Sequence, residues 1–200
     1  MAHEQLVLAS GSATRAALLR AAGLEFEVVV PRVDEETFKE GLLAEGASPR
    51  DVADALAEMK AARVSVRRPE AFTLGCDQTL SCEDRLFSKP ATRDEAREQL
   101  RELMGRTHKL LSAAVIYQHG RPVWREVTEA KLTMGRMSDA WLDGYLERNW
   151  ESVRHSVGAY RIEEEGVRLF TKIEGDHFTI LGLPLLPLLS FLALRGTIPS

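Results

Sequence analysis

Side chains suited to phosphate chemistry follow a short apolar run near the start of the 200-residue chain. In "LASGSATR", Ser10 and Ser12 lie between a predicted strand and a predicted helix, and Arg15 follows one turn later. Free backbone N–H groups and the helix dipole at such a position favour an anion, above all a phosphate. Because the stretch has neither the P-loop nor the GxGxxG pattern, a capped helix after a Gly-Ser turn stays open as the alternative.

A second group of such residues centres on Asp77, which ends the apolar run "FTLGC". A carboxylate at a strand end can orient or deprotonate water for attack on phosphorus. Lys89 would neutralise phosphate charge if the intervening hairpin returned it to the site, and Glu35 could help to hold a divalent cation. Each has a plain alternative: a turn-starting aspartate, a solvated lysine and an exposed acid.

The two cysteines, Cys76 and Cys82, favour buried or free thiols. No Cys-x-x-Cys companion or His-rich cluster would complete a zinc site. No histidine is near Cys76 in sequence to activate it as a nucleophile. Free thiols fit a reducing cytoplasm, which is the expected location.

The composition indicates a globular protein, with 44% hydrophobic and 28% charged residues. A net charge of −4 gives no reason to expect a nucleic-acid partner. The N-terminus has no signal-peptide pattern, and the longest apolar run, "FTILGLPLLPLLSFLAL", is short for a membrane span and holds prolines. We expect no membrane partner and interpret that run as a buried strand, a turn and a terminal helix.

Helix caps and apolar spacing predict five helices. Ser12 and Gly23 bound the first, and Ser48 begins the second. In that second helix, Lys60 falls at the edge of the apolar stripe. The predicted helices are "SATRAALLRAAG", "PRDVADALAEMKAARVSV", "TRDEAREQLRELMG", "SDAWLDGYLERN" and the segment from Leu185 to Leu194.

Predicted strands are interspersed with these helices. A hairpin is expected around Gly120 and another in "DQTLSCEDRLF", while Gly175 is expected to separate two late strands. The strands are "QLVLA", "LEFEVVV", "FTLGC", "THKLLSAAVIYQ", "RPVWREVTEAKLTMG" and two in "VRLFTKIEGDHFTILG". The order predicts a single domain over residues 1–200 with an α/β fold and a mixed sheet.

Four stretches taken together resemble, in order and spacing, the Maf family of nucleoside triphosphate pyrophosphatases. The similarity runs from about Leu6 to Leu194, nearly the whole chain. The stretches are "LVLASGSATRAALLRAAGLEFEVVVPRVDE", "LAEMKA", "LGCDQTL…SKPATRDEAREQLRELMGRTH" and "GAYRIEEEGVRLFTKIEGDHFTILGLPL".

The resemblance implies a mixed central sheet flanked by helices, in two lobes with a substrate cleft, as in Maf and ITPase-like proteins. It implies a cytoplasmic homodimer that cleaves a nucleoside triphosphate between the α and β phosphates with Mg²⁺ or Mn²⁺. By position, Asp77 would activate water and, with Glu35, hold the metal, and Lys60 and Lys89 would bind the triphosphate. The phosphate loop would comprise Ser10, Ser12, Thr14 and Arg15.

Several residues bear on which nucleobase the protein would prefer. Ala13 and Thr14 stand where many family members have proline and arginine, and Thr14 is not the bulky aromatic common in the guanine-type branch. Gln78 directly follows Asp77, as in the branch that resembles the 7-methyl-GTP pyrophosphatases. Glu163 stands where pyrimidine-type members tend to have glutamine, and a carboxylate suits the N1–H and N2–H₂ edge of guanine. The expected substrate is a modified or non-standard nucleotide such as 7-methyl-GTP.

One other function fits the same features. The altered "SGSATR" loop is compatible with a nucleotide-binding regulatory protein of cell division that has no significant turnover. A purely structural interaction domain does not explain why charged residues fall at strand ends and helix rims.

Overall fold

The computed structural model describes residues 5–199, which form seven strands and seven α-helices. The strands are β1 (Leu6–Ala9), β2 (Phe26–Val28), β3 (Phe72–Cys82), β4 (Arg85–Phe87), β5 (Thr107–Gln118), β6 (Arg121–Met134) and β7 (Phe170–Glu174). The helices are α1 (Ala13–Ala21), α2 (Glu35–Ala44), α3 (Pro49–Ser65), α4 (Arg93–Leu103), α5 (Asp139–Val153), α6 (His177–Ile180) and α7 (Leu185–Leu194).

The strands form one mixed sheet in the order β2-β1-β3-β5-β6-β7, with β4 paired to β3. Strand β1 is parallel to β2 and β3, with Leu6 opposite both Phe26 and Phe72. Strand β4 is antiparallel to β3, and β7 is antiparallel to β6. The predicted α/β fold with a mixed sheet is therefore confirmed.

The described chain forms two compact units. The first comprises residues 5–78, 111–128 and 177–199, and the second comprises residues 79–110 and 129–176. The chain passes from one unit to the other within β3, β5 and β6. The assignment of residues 1–200 to one domain stays a prediction, and its ends, residues 1–4 and 200, lie outside the described part.

The core of the first unit joins β1 and β3 to the helices that follow and close the chain. Leu8 and Leu74 of the strands pack with Leu19 of α1 and Leu188 of α7 in one apolar cluster. Helix α7 runs from Leu185 to Leu194, as the sequence predicts. Between residues 5 and 199, no helix combines the length and apolarity needed to cross a bilayer.

Helix α3 packs directly on β3 because Gly75 has no side chain. A Cβ atom at Gly75 would lie 2.5 Å from the backbone nitrogen of Ala61 and nearer still to the carbonyl oxygen of Ala57. A glycine inside a strand is typical of such close approach. Lys60 directly precedes Ala61 in α3, and Cys76 and Asp77 directly follow Gly75 in β3. The close contact therefore places Lys60 near Asp77.

The second unit buries His108 in an aromatic cluster. Its ring centroid lies 5.6 Å from that of Tyr160 and 5.8 Å from that of Phe170. His108 Nε2 is 2.7 Å from Tyr160 Oη, while Nδ1 has no hydrogen-bond partner in the described part of the chain. Burial lowers the pKa of His108 from an ordinary 6.5 to about 4, so the ring is neutral at pH 7.

Two elements differ from the sequence-based expectation. Helix α2 was not predicted, although Asp34 accepts from Thr37 N as its N-cap and Glu35 lies in its acidic first turn. The segment after Gly175 forms helix α6, not a second strand, so the prediction of a strand there is wrong. Short apolar runs such as "FTIL" fit either element, and here tertiary hydrogen bonds to the carbonyl groups of Thr179 and Ile180 favour the helix.

We predict that Gly75→Ala lowers the free energy of unfolding by about 1–3 kcal/mol or more, because the new methyl group forces α3 away from β3. Urea denaturation measures this loss. Gly41→Ala in α2 is the matched control, since a Cβ there meets nothing within 4 Å. In an exposed helix that change should stabilise by about 0.5–1 kcal/mol. Equal stabilities for Gly75→Ala and the wild type would contradict the close packing.

His108 should make the protein acid-sensitive. Between pH 6.5 and about 4 the unfolded chain binds the proton and the folded chain does not, so the free energy of unfolding falls as the pH drops through that window. The total loss is up to about 3 kcal/mol. His108→Gln removes this dependence, whereas His155→Gln, at an exposed histidine of the same unit, should keep it. Urea midpoints at pH 7, 6 and 5 test this, and an unchanged slope in His108→Gln would contradict it.

Candidate functional site

Two carboxylates predicted from the sequence meet on one ammonium group in the first unit. Lys60 Nζ, from α3, lies 2.6 Å from Asp77 Oδ1 of β3 and 2.8 Å from Glu35 Oε2 of α2. Lys60 is 6% exposed and Asp77 9% exposed, whereas the Glu35 side chain is 48% exposed. Buried charges occur in proteins where they are paired, and here both partners are supplied. The Lys60 ammonium group is thus held between the buried Asp77 carboxylate and the half-exposed Glu35 carboxylate.

Asp77 lies in the middle of β3 and not at the end of a strand, so that part of the sequence-based prediction is wrong. The strand continues to Cys82, and its hairpin with β4 turns at Glu83 and Asp84, both with positive φ. The residues after Asp77 form the first strand of the predicted hairpin, and they are largely buried and hydrogen-bonded in the folded chain. The carboxylate is therefore held by a continuous strand.

The Gln78 side chain is anchored within the first unit. Its Nε2 lies 3.0 Å from each of three acceptors: Ser112 Oγ, the Thr179 carbonyl oxygen and the Ile180 carbonyl oxygen. An amide nitrogen has only two hydrogens, so these acceptors commit it fully. What Gln78 can offer a nucleobase is the acceptor oxygen of its amide, and its predicted contact with the base stays a prediction.

Ser10 and Ser12 shape the loop that opens α1. Ser12 Oγ accepts from Arg15 N at 3.3 Å, which confirms the predicted N-cap. Ser10 Oγ accepts from Ser12 N at 3.2 Å and from Arg15 Nη1 at 3.3 Å. Since a hydroxyl oxygen accepts two hydrogen bonds and donates one, these contacts leave its donor capacity for another group. Thr14 lies in the first turn of the same helix and is partly buried.

The Arg15 guanidinium connects three parts of the first unit. Its Nε donates to the Gly182 carbonyl oxygen at 2.7 Å, and its Nη1 donates to the Cys76 carbonyl oxygen at 2.9 Å. Cys76 directly precedes Asp77, so Arg15 fixes the backbone beside that carboxylate. The geometry gives Arg15 a positioning role through the backbone, and its predicted phosphate contact stays a prediction.

Cys76 carries an unreactive thiol. It is fully buried and free of any disulfide. Burial raises the pKa of its thiol to about 11, although the nearby charges of Arg15 and Lys60 act in the opposite direction. The group is protonated at neutral pH, which agrees with the expectation that Cys76 is not a nucleophile.

Lys89 lies in the second unit, in the segment between β4 and α4, and its side chain is exposed. The preceding carbonyl group, that of Ser88, accepts from Gln99 Nε2 at 3.1 Å. Gln99 is a buried residue of α4, so this bond fixes the backbone at the base of the lysine. The Lys89 side chain beyond this anchored backbone extends into solvent.

Glu163 also lies in the second unit and is oriented by an arginine. Arg161 Nε and Nη2 each lie 3.0 Å from Glu163 Oε1, while Arg161 Nη1 lies 3.0 Å from Glu164 Oε1. A carboxylate has about four lone-pair positions, so Glu163 keeps acceptor capacity beyond these contacts. The predicted base contact of Glu163 is not tested by these contacts and stays a prediction.

The donor set fits a hydrated divalent cation. Mg²⁺ commonly binds through one or two carboxylates, keeps several waters and takes further oxygens from substrate phosphates. Glu35 and Asp77 converge on a single point, that of Lys60 Nζ, and so can supply those two carboxylates. Residues 5–199 contain no group of three or more His, Cys, Asp or Glu side chains suited to a metal.

Sequence reasoning missed two residues that position this chemistry. Gly75 permits the close contact of α3 with β3, and its signal was a glycine inside an otherwise apolar strand. Arg161 orients Glu163, and its signal was an arginine two residues before a row of glutamates.

The chain is similar to known proteins over nearly its whole length. Residues 5–194 match the family described as "Maf-like protein". A "Nucleoside triphosphate pyrophosphatase" from Ruegeria pomeroyi is 58% identical over 98% of both chains. A "7-methyl-GTP pyrophosphatase" from Mesorhizobium japonicum is 51% identical, again over 98% of both.

Among solved structures, a HAM1 protein from Coxiella burnetii is a weak match, with a TM-score of 0.45 and 16% identity over 67% of this chain and 74% of that one. The family match and the sequence identities extend over nearly the full length of the chain. On these two findings, the chain belongs to the Maf family.

Proposed function

We propose that the protein hydrolyses a nucleoside triphosphate between its α and β phosphates and releases the monophosphate and pyrophosphate. The observation that carries this proposal is the position of the buried Lys60 ammonium group between the buried Asp77 and the half-exposed Glu35 carboxylates. Relatives named nucleoside triphosphate pyrophosphatase, at 48–58% identity, support it. The arrangement supplies a proton acceptor, a cation and two metal-binding oxygens within a few ångströms.

Asp77 is the proton acceptor in this proposal. Water attacks the α-phosphorus, the bond from that phosphorus to the bridging oxygen breaks, and pyrophosphate leaves. The proton of the attacking water passes to the Asp77 carboxylate. Because β3 holds Asp77 from both sides and Arg15 fixes the Cys76 carbonyl group, the carboxylate needs little reorganisation before it reacts.

The triphosphate is bound by charge and by directed donors. The remaining hydroxyl hydrogen of Ser10, the first-turn N–H groups of α1, and Ser12 and Thr14 suit phosphate oxygens. Lys60 and Lys89 supply positive charge. Glu35 and Asp77 would hold Mg²⁺ or Mn²⁺, which when bound neutralises phosphate charge and makes phosphorus a better electrophile.

The base is the finer part of the proposal. We favour a modified or non-standard purine such as 7-methylguanine, because Glu163 and the amide oxygen of Gln78 are both hydrogen-bond acceptors. The relative named 7-methyl-GTP pyrophosphatase supports the same choice. A homodimer in the cytoplasm, without nucleic-acid or membrane partners, completes the proposal and rests on the family resemblance and the net charge of −4.

A nucleotide panel tests the reaction. The purified protein, with Mg²⁺ or Mn²⁺, should release pyrophosphate and no free phosphate from at least one of the four ribonucleotides, the four deoxyribonucleotides and 7-methyl-GTP. Chromatography of the nucleotide should show the monophosphate in equal amount. No pyrophosphate from any member would overturn the proposal, and calorimetric binding without turnover would favour the regulatory nucleotide-binding function.

Asp77→Asn tests the proton acceptor. The amide cannot take the proton, so kcat, measured at saturating nucleotide and metal ion, should fall by about 10²-fold or more. Lys60 keeps Glu35 as an anionic partner in this variant, so the fold should survive.

Asp54→Asn is the matched control for Asp77→Asn. It removes a carboxylate of α3 that is ion-paired to Arg125 in the same unit. Its kcat should stay near that of the wild type. A full rate in Asp77→Asn would show that another group takes the proton.

A further inference from the structure

The position of Lys60 conflicts with its proposed contact to the triphosphate and with the metal-binding role proposed for Asp77 and Glu35. The Lys60 ammonium lies at hydrogen-bonding distance from both Asp77 Oδ1 and Glu35 Oε2. These are the oxygens that would hold a divalent cation, and Lys60 is also expected on the triphosphate. An ammonium and a metal ion cannot both occupy the point where the two carboxylates converge, because like charges in a poorly solvated site repel strongly.

We propose that Lys60 is a resident cation of this site, which a divalent metal ion must displace, and that a nucleoside triphosphate promotes the exchange by drawing the ammonium onto its phosphates. The inference rests on the proposed function for the identity of the two ligands. Its consequence is positive coupling, since each ligand then raises the affinity of the protein for the other.

The burial of Lys60 and Asp77 makes the exchange necessary. Without a cation, the nearly buried Asp77 carboxylate would face the cost of desolvation unpaired, and the same holds for the Lys60 ammonium without an anion. The nucleotide-free protein avoids both costs by joining them. When phosphates supply Lys60 with new anions and a metal supplies the carboxylates with a new cation, all charges are again paired.

The elements around Lys60 allow the movement. Lysine carries its charge on a flexible four-carbon stem. Glu35 belongs to α2, a helix with no buried residue, so its carboxylate can adjust when the ammonium leaves. Asp77 belongs to a long buried strand and stays in place. The exchange therefore moves one side chain and one surface helix end around a fixed carboxylate.

Mn²⁺ titration in the absence of nucleotide gives the first test. Free Mn²⁺, measured by its electron paramagnetic resonance signal, should show that Lys60→Met binds the ion at least about tenfold more tightly than the wild type, because the competing ammonium is gone. Lys39→Met is the matched control: it removes a lysine that pairs with Glu36 in α2, next to Glu35 in sequence. Its Mn²⁺ affinity should stay within about twofold of the wild type.

The coupling gives the second test. In the wild type, saturating α,β-methylene-GTP, which is not cleaved at the α–β bridge, should increase Mn²⁺ affinity by a clearly larger factor than in Lys60→Met. Direct contact between Mn²⁺ and the analogue increases Mn²⁺ affinity in both proteins. The difference between their two factors therefore measures the contribution of Lys60. Equal or weaker Mn²⁺ binding by Lys60→Met without nucleotide, or equal coupling in the two proteins, would overturn the inference.

Folding of the variants is checked by thermal unfolding. Lys60→Gln keeps N–H donors for both carboxylates. If Lys60→Met does not fold, the Mn²⁺ affinity of Lys60→Gln is measured in the same titration instead. If neither folds alone, Mn²⁺ should restore both, and failure at saturating Mn²⁺ would count against the inference.

The two proposals fail separately. Turnover of nucleotides without tighter Mn²⁺ binding in the Lys60 variants rejects only the exchange. Tighter Mn²⁺ binding without turnover of any nucleotide rejects only the enzymatic function.

Discussion

Helix α3 can bring Lys60 to Asp77 only because its backbone touches that of β3 at Gly75. Any side chain at that position would meet the Ala57 carbonyl oxygen and the Ala61 nitrogen, and small alanines line the helix on either side of the contact. The close approach is therefore what turns two separate elements into a single charged site, with the lysine and the carboxylate both buried.

The charges themselves then specify how the rest of the site is built. A buried lysine requires anions, and a buried aspartate requires a cation, since either alone would carry a large desolvation cost. Their pairing satisfies both and also recruits Glu35 from α2, a helix that contributes no buried residue of its own. On the other side of Asp77, the Arg15 guanidinium holds the Cys76 carbonyl group and the Ser10 hydroxyl. Electrostatic pairing thus orders residues from four elements around one carboxylate.

The sequence predicts features that depend on local interactions. The Ser12 cap of α1 and the Ser48 cap of α3 both form as expected, because each joins residues three positions apart. The full length of β3 and the helical state of residues 177–180 were missed. Gln78 of β3 donates to the carbonyl oxygens of Thr179 and Ile180, a tertiary contact between residues about a hundred positions apart that no local pattern shows. Local patterns already pointed to Ser10, Glu35 and Asp77, and the family resemblance added a role for Lys60, but no local pattern could show that Lys60 bridges Glu35 and Asp77.

The site combines groups held with very different firmness, and this division suits a reaction with a mobile substrate. Asp77, the proposed proton acceptor, lies on a continuous buried strand, so its position needs little reorganisation. Glu35 is carried on a surface helix, and the Lys60 ammonium group is carried on a flexible stem. Groups that would have to follow a charged, hydrated ligand can therefore rearrange, whereas the proposed proton acceptor is held in place. The fold separates these two requirements by placing Asp77 in the sheet and its lysine and glutamate partners on the neighbouring helices.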